Sequence, residues 1–141
     1  METKQVHSTS VVLDDNGILI TGDSGSGKSD LALRLIDNGA TLISDDITIC
    51  KKQIDHIFLS SPCQTKGLLE VREVGIITVP FVEQIKLKMV VKLINERLER
   101  LPKKKFCKLI GIDIPLLTIN GLNSSSVIKV KVKLNEITEK I

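Results

Sequence analysis

Gly17-Ile-Leu-Ile-Thr-Gly22-Asp-Ser-Gly-Ser-Gly-Lys28-Ser29-Asp-Leu-Ala-Leu-Arg-Leu-Ile-Asp-Asn38-Gly39 reads as a strand, a loop and a helix in immediate succession. A short apolar run comes first. Residues 22–29 then fit G-x-x-x-x-G-K-[ST] at every defined position, and apolar residues at helical spacing follow until Gly39. The glycines allow the backbone N–H groups to wrap a phosphate. The first helical turn adds unpaired donors and the positive end of the helix dipole. Gly22, Asp23, Ser24, Gly25, Ser26, Gly27, Lys28 and Ser29 are therefore the candidates for holding a nucleotide such as ATP. Lys28 would reach the β- and γ-phosphates, and the Ser29 hydroxyl would ligate Mg²⁺.

Working outward, Val11-Val-Leu13 and Ile18-Leu-Ile-Thr21 flank Asp14-Asp-Asn-Gly17. Asn16-Gly17 between apolar runs signals a hairpin, so the strand entering the loop is one arm of an antiparallel pair and the sheet is mixed. On the other side, the helix over residues 30–38 presents Leu31, Leu35 and Ile36 near one face and stops at Gly39. Ala40-Thr-Leu-Ile-Ser44 is a short strand ending in Asp45-Asp46, with residues 47–50 prolonging it and 51–55 turning. Residues 57–59 read as a strand and 60–66 as a loop. Residues 67–75 form a Gly-bounded tight loop, and residues 76–79 are a strand stopped at Pro80. Residues 85–94 alternate with period two, a half-exposed strand, and 95–105 are a charged loop or short helix. The stretch 109–119 is strand-like but broken by Asp113 and Pro115. Residues 127–134 alternate like a strand and equally fit the start of an amphipathic helix.

The chain has 141 residues, 42% hydrophobic and 26% charged, which fits one α/β domain over 1–141. A net charge of +3 and three Phe without Trp or Tyr give neither the charge nor the stacking surface of a nucleic-acid binder. Three widely spaced cysteines without C-x-x-C read as reduced thiols of a cytoplasmic protein. The polar start at residues 1–10 is no signal peptide, and no apolar run is long enough for a membrane span. The lysine-rich stretch 84–108 reads as a solvated face or as an electropositive patch for an acidic protein.

Phosphoryl transfer also needs a carboxylate near the metal and a group that orients or deprotonates the acceptor. Asp45 and Asp46, delivered by a strand next to the loop, meet that need, and adjacent residues can divide the two roles because they point apart. His7 and His56 read as exposed. Glu70 and Arg72 read as an exposed pair or as a metal or phosphate contact.

His7-Ser-Thr-Ser10, the hairpin, the phosphate loop, Leu42-Ile-Ser-Asp-Asp46 and Gly67-Leu-Leu-Glu-Val-Arg-Glu-Val-Gly-Ile-Ile77, in this order, resemble the catalytic domain of the bifunctional HPr kinase/phosphorylase family. The likeness is closest over residues 7–79. It implies a P-loop-containing mixed-sheet α/β fold related to phosphoenolpyruvate carboxykinases. It implies ATP- and Mg²⁺-dependent phosphorylation of a serine on the phosphocarrier protein HPr, with phosphorolysis by inorganic phosphate in reverse. By the resemblance, Asp45, Asp46 and His7 are the catalytic residues, one Asp being the acid/base. Ser29, Asp45 and Glu70 are the metal-side residues. Phosphate charge and burial would raise the proton affinity of the acid/base carboxylate. The family also implies a homo-oligomer, a hexamer in its long members.

The chain resembles short, single-domain versions of that family, without the N-terminal domain and the long helical C-terminal region. Residues 114–119 stand near the place of a basic loop but carry no arginine, and Glu73-Val74 stand where the signature has Gly-Leu. Two other readings therefore stay open: a small-molecule kinase built on the same cradle, and a non-catalytic nucleotide-binding regulator.

Overall fold

The computed structural model describes residues 2–139. In chain order its elements are β1 (Thr3–His7), β2 (Thr9–Leu13), β3 (Asn16–Gly22), α1 (Lys28–Asp37), β4 (Thr41–Ser44), β5 (Ile47–Gln53), β6 (His56–Ser60), a 3-10 turn (Cys63–Thr65), β7 (Leu68–Val71), β8 (Gly75–Thr78), β9 (Ile85–Leu93), β10 (Lys105–Leu109), β11 (Ile112–Ile119) and α2 (Ser126–Thr138). The sheet is mixed, as the sequence implies. β3 and β11 run parallel to β9, while β2 on β3, β4 on β2, β10 on β11, β6 on β9, β5 on β6 and β1 on β5 are antiparallel.

Contacts of β4 with β5 and β6, and of β2 with β5, curl this sheet back on itself. It therefore has two apolar layers. Leu19, Ile43, Cys50, Ile57, Leu59 and Val90 fill the inside of the curl. Ile18, Ile20, Met89 and Val91 face outward and pack against Leu31 and Leu35 of α1 and Val130 and Leu134 of α2. Among the described residues no helix is long and apolar enough to cross a membrane.

Several local expectations are corrected. The hairpin turn is Asp14-Asp15, both left-handed with φ of 51° and 64°, and Asn16 and Gly17 already pair in β3. Asp tolerates that conformation, and the Asn16 side-chain amide donates to the Asp14 carbonyl at 2.8 Å. Gly17 serves close approach instead, since a Cβ there would lie 2.6 Å from the Lys86 carbonyl oxygen of β9. Residues 47–50 do not prolong β4. Asp46 turns the chain at φ 72°, and β5 runs on to Gln53. Residues 67–75 are not a bare loop, because β7 and β8 pair as a separate two-stranded sheet. β9 is a central strand, not a half-exposed one. β11 is continuous through Pro115, which lies before the β9 pairing begins at Leu116, so its missing N–H costs no bond on that side. The tail is helical, with Val127, Val130 and Leu134 buried on one face.

Burial pushes the Cys50 thiol up to about 12, against a smaller opposing pull from Lys4. At pH 8 its thiolate fraction is then roughly one in 10⁴. Iodoacetamide accordingly alkylates exposed Cys63 in the native protein and Cys50 only after unfolding, as peptide mapping would read. Native-state modification of Cys50 at a comparable rate would contradict this packing.

Candidate active site

The parallel strands end together. Gly22 at the end of β3 pairs Leu93 at the end of β9, and Leu93 pairs Ile119 at the end of β11. Ligands of α/β sheets bind at such carboxyl ends. Here the chain leaves β3 through Gly22 and turns at residues 23–26, with the Ser26 N–H donating to the Asp23 carbonyl at 3.0 Å. It enters α1 from Gly27 at φ 98°. A Cβ on Gly22 would stand 2.6 Å from Ser26 Oγ and 2.9 Å from the Leu93 carbonyl oxygen, so the tight loop requires glycine there.

α1 starts at Lys28, two residues before the expected start, and no side chain caps it. Its first N–H groups are left open towards the cleft. Lys28 Nζ lies back over the loop, donating to the carbonyls of Gly22 at 3.0 Å and Asp23 at 3.1 Å. An anion in the loop offers this ammonium stronger partners than two neutral carbonyls. Main-chain donors, an ammonium and a glycine-dependent turn together fit a nucleotide's phosphates. Ser26 Oγ, facing away into the fold, is a buried hydroxyl without a partner.

The two aspartates at the end of β4 diverge. Asp45 is 8% exposed. Its Oδ1 accepts from Ser29 Oγ at 2.7 Å and from Thr9 Oγ1 at 2.9 Å, and its Oδ2 accepts from the Glu70 main-chain N–H at 3.0 Å. Asp46 points the other way. Its side chain is 71% exposed, and Oδ1 lies 3.6 Å from His7 Nδ1, longer than a hydrogen bond. The main chain fixes the divergence, since the Ile47 N–H donates to the Asp45 carbonyl and the Ser8 N–H to the Asp46 carbonyl, both at 2.9 Å. Burial, expected of the acid/base carboxylate, thus falls on Asp45, whereas Asp46 is exposed and open to an incoming group, so burial does not mark the carboxylate an acceptor can reach.

One cleft of about 640 Å³ gathers His7, Lys28, Ser29, Asp45, Asp46 and Glu70. Every candidate site residue from the sequence lies in it or in the loop that forms its floor. Glu70 reaches Asp45 through its backbone amide, while its own side chain is exposed. Among the described residues no group of three His, Cys, Asp or Glu side chains gathers as a metal cage. Ser29 Oγ and Asp45 Oδ1, 2.7 Å apart beside the loop, are the hydroxyl and carboxylate that fit Mg²⁺, which is usually bound by one or two carboxylates together with substrate phosphates and water. The sequence reading missed Thr9, whose only signal is a polar residue entering an apolar hairpin arm. Glu73, at the β7–β8 turn beside the cleft, sits at φ 72°, a conformation glycine adopts without strain.

The chain is similar to known proteins in sequence and in fold. A family model described as HPr Serine kinase C-terminal domain matches residues 1–140. The chain is 40% identical over 111 residues to the HPr kinase/phosphorylase of Clostridium tetani, covering 77% of this chain and 36% of that protein. It is 31% identical over 143 residues to that of Prosthecochloris aestuarii, covering 90% and 42%. The Mycoplasmopsis pulmonis relative is 45% identical over 82 residues, covering 58% and 26%. The chain thus spans from about a quarter to two-fifths of the length of these curated relatives. The solved structure of the Hpr(Ser) kinase/phosphatase from Coxiella burnetii superposes with a TM-score of 0.84 at 26% identity, covering 98% of this chain and 99% of that one. With a carboxylate-bridged phosphate loop, a mixed curled sheet and a family match along its length, the chain belongs to the HPr serine kinase C-terminal domain family.

Proposed function

We propose that this chain acts as one catalytic domain, transferring the γ-phosphoryl group of ATP to a serine of an HPr-type phosphocarrier, with phosphorolysis by inorganic phosphate as the reverse reaction. The observation that carries this reading is the 2.7 Å bond between Ser29 at the mouth of the phosphate loop and buried Asp45, with open Asp46 as its chain neighbour.

The main-chain N–H groups of residues 22–29 bind the β- and γ-phosphates, and Lys28 swings off its two carbonyls to pair with them. Ser29 and Asp45 would hold Mg²⁺, with the Glu70 side chain on the same rim. Mg²⁺, when bound, neutralises phosphate charge and so eases attack on the γ-phosphorus. Thr9 and the Glu70 N–H orient the Asp45 carboxylate by donating to it. Asp46 accepts the proton of the acceptor serine as the serine oxygen bonds to the γ-phosphorus and the bond to ADP breaks; in phosphorolysis it returns the proton to the serine oxygen as inorganic phosphate takes the phosphoryl group and leaves as pyrophosphate. His7 stands beside Asp46, 3.6 Å away, at the open side of the cleft.

The test is incubation of the purified chain with HPr, ATP and Mg²⁺, read as phosphoserine by mass spectrometry. The expected result is one phosphoserine per HPr. ATP uptake without phosphoserine on HPr would overturn the substrate assignment and favour a non-catalytic regulator. ATP consumption with a metabolite in place of HPr would favour a small-molecule kinase.

A further inference from the structure

Three loops leave the carboxyl ends of the parallel strands at one place. The first is the phosphate loop, and the second, after β11, lies against it, since a Cβ on Gly121 would come within 3.1 Å of the Ser26 carbonyl oxygen. The third joins β9 to β10 over residues 94–104 and contains no strand or helix. At its root the Ile94 N–H donates to the Ile119 carbonyl at 3.0 Å. Leu93, one residue earlier, touches the phosphate loop at Gly22. The segment therefore leaves the fold directly beside the cleft.

Its chemistry is more than a connection needs. Arg97, Arg100, Lys103 and Lys104 outnumber Glu96 and Glu99. Arg97, Arg100 and Lys103 join none of the ion pairs formed among the described residues. Leu98 and Leu101 stand between the charges, and Leu101 is 89% exposed. Long irregular connections in a small domain are commonly functional, and cationic groups interleaved with bare aliphatics suit a protein surface. The cleft is lined by five carboxylates, Asp30, Asp45, Asp46, Glu70 and Glu73, against Lys28 and Arg72, and a bound nucleotide adds more negative charge. An acidic acceptor would be repelled there unless cationic groups stood alongside.

We propose that residues 95–104 form a docking arm for the protein acceptor, taking an acidic rim and an apolar patch around the target serine. This inference rests on the kinase reading above, and its test separates the two. With the full chain, HPr and MgATP, the double substitution Arg97→Glu and Arg100→Glu raises the KM for HPr by about tenfold or more. It leaves kcat and the KM for ATP within about twofold. Leu101→Ser, at a position already in solvent, raises the same KM by about threefold without lowering the Tm. Raising NaCl from about 50 to about 300 mM weakens HPr use by the wild type more than by the double variant. An unchanged KM for HPr, or a shift in the KM for ATP instead, overturns the docking arm while leaving the kinase reading intact. A wild-type chain that binds ATP but phosphorylates no HPr removes both.

Discussion

Asp46→Asn lowers the turnover of HPr phosphorylation by about 10²–10⁴-fold and leaves MgATP affinity within about threefold. Asparagine keeps the shape of the side chain but cannot take the serine proton. The exposed position of Asp46 means that no buried partner is orphaned by the change, so folding is untouched. Asp45→Asn behaves differently, because that carboxylate accepts three hydrogen bonds in the interior and its loss disturbs Ser29 directly. Steady-state kinetics of both variants, with calorimetric MgATP titrations alongside, separate the two roles. Wild-type turnover in Asp46→Asn would contradict the assignment of the proton to Asp46.

Lys28→Met lowers kcat/KM for ATP by roughly 10²-fold, the value of one charge-assisted hydrogen bond to phosphate at about 1.5–3 kcal/mol. The protein partners of Lys28 are two loop carbonyls at 3.0 and 3.1 Å, so its removal leaves the core intact and the Tm close to that of the wild type. Lys28→Arg restores the charge but not the point geometry, and recovers only part of the loss. An unaltered kcat/KM in Lys28→Met would mean that the ammonium does not meet the nucleotide.

The order of strand, phosphate loop and helix was legible because three signals coincide in residues 17–39: an apolar run, glycines at fixed offsets, and helical spacing up to Gly39. The mixed sheet followed from the hairpin that precedes the loop. The turn itself was misplaced, because Asn16-Gly17 has the stronger local signal while the close approach of β9 claims Gly17 for packing. β1 was invisible, since Thr3-Lys-Gln-Val-His7 is an edge strand with four of its five residues exposed and so shows no alternation. Residues 127–134 satisfied both periods, and the apolar face under α2 decided for the helix. At the site, Lys28, Ser29, Asp45 and Asp46 could be read from residue type and spacing. Thr9 and the Glu70 amide could not. One is an ordinary hydroxyl 36 positions from its partner, and the other contact is made by main chain, which residue identity does not record.

The whole account stands on a polyanion being captured between the amides of residues 22–29 and the Asp45–Asp46 pair. Isothermal titration of MgATP, ADP and orthophosphate into the wild-type chain tests this most directly. Saturable uptake of about one MgATP per chain, with weaker uptake of orthophosphate displaced by ATP, is the predicted result. Absence of heat and of any shift in Tm with all three would contradict it.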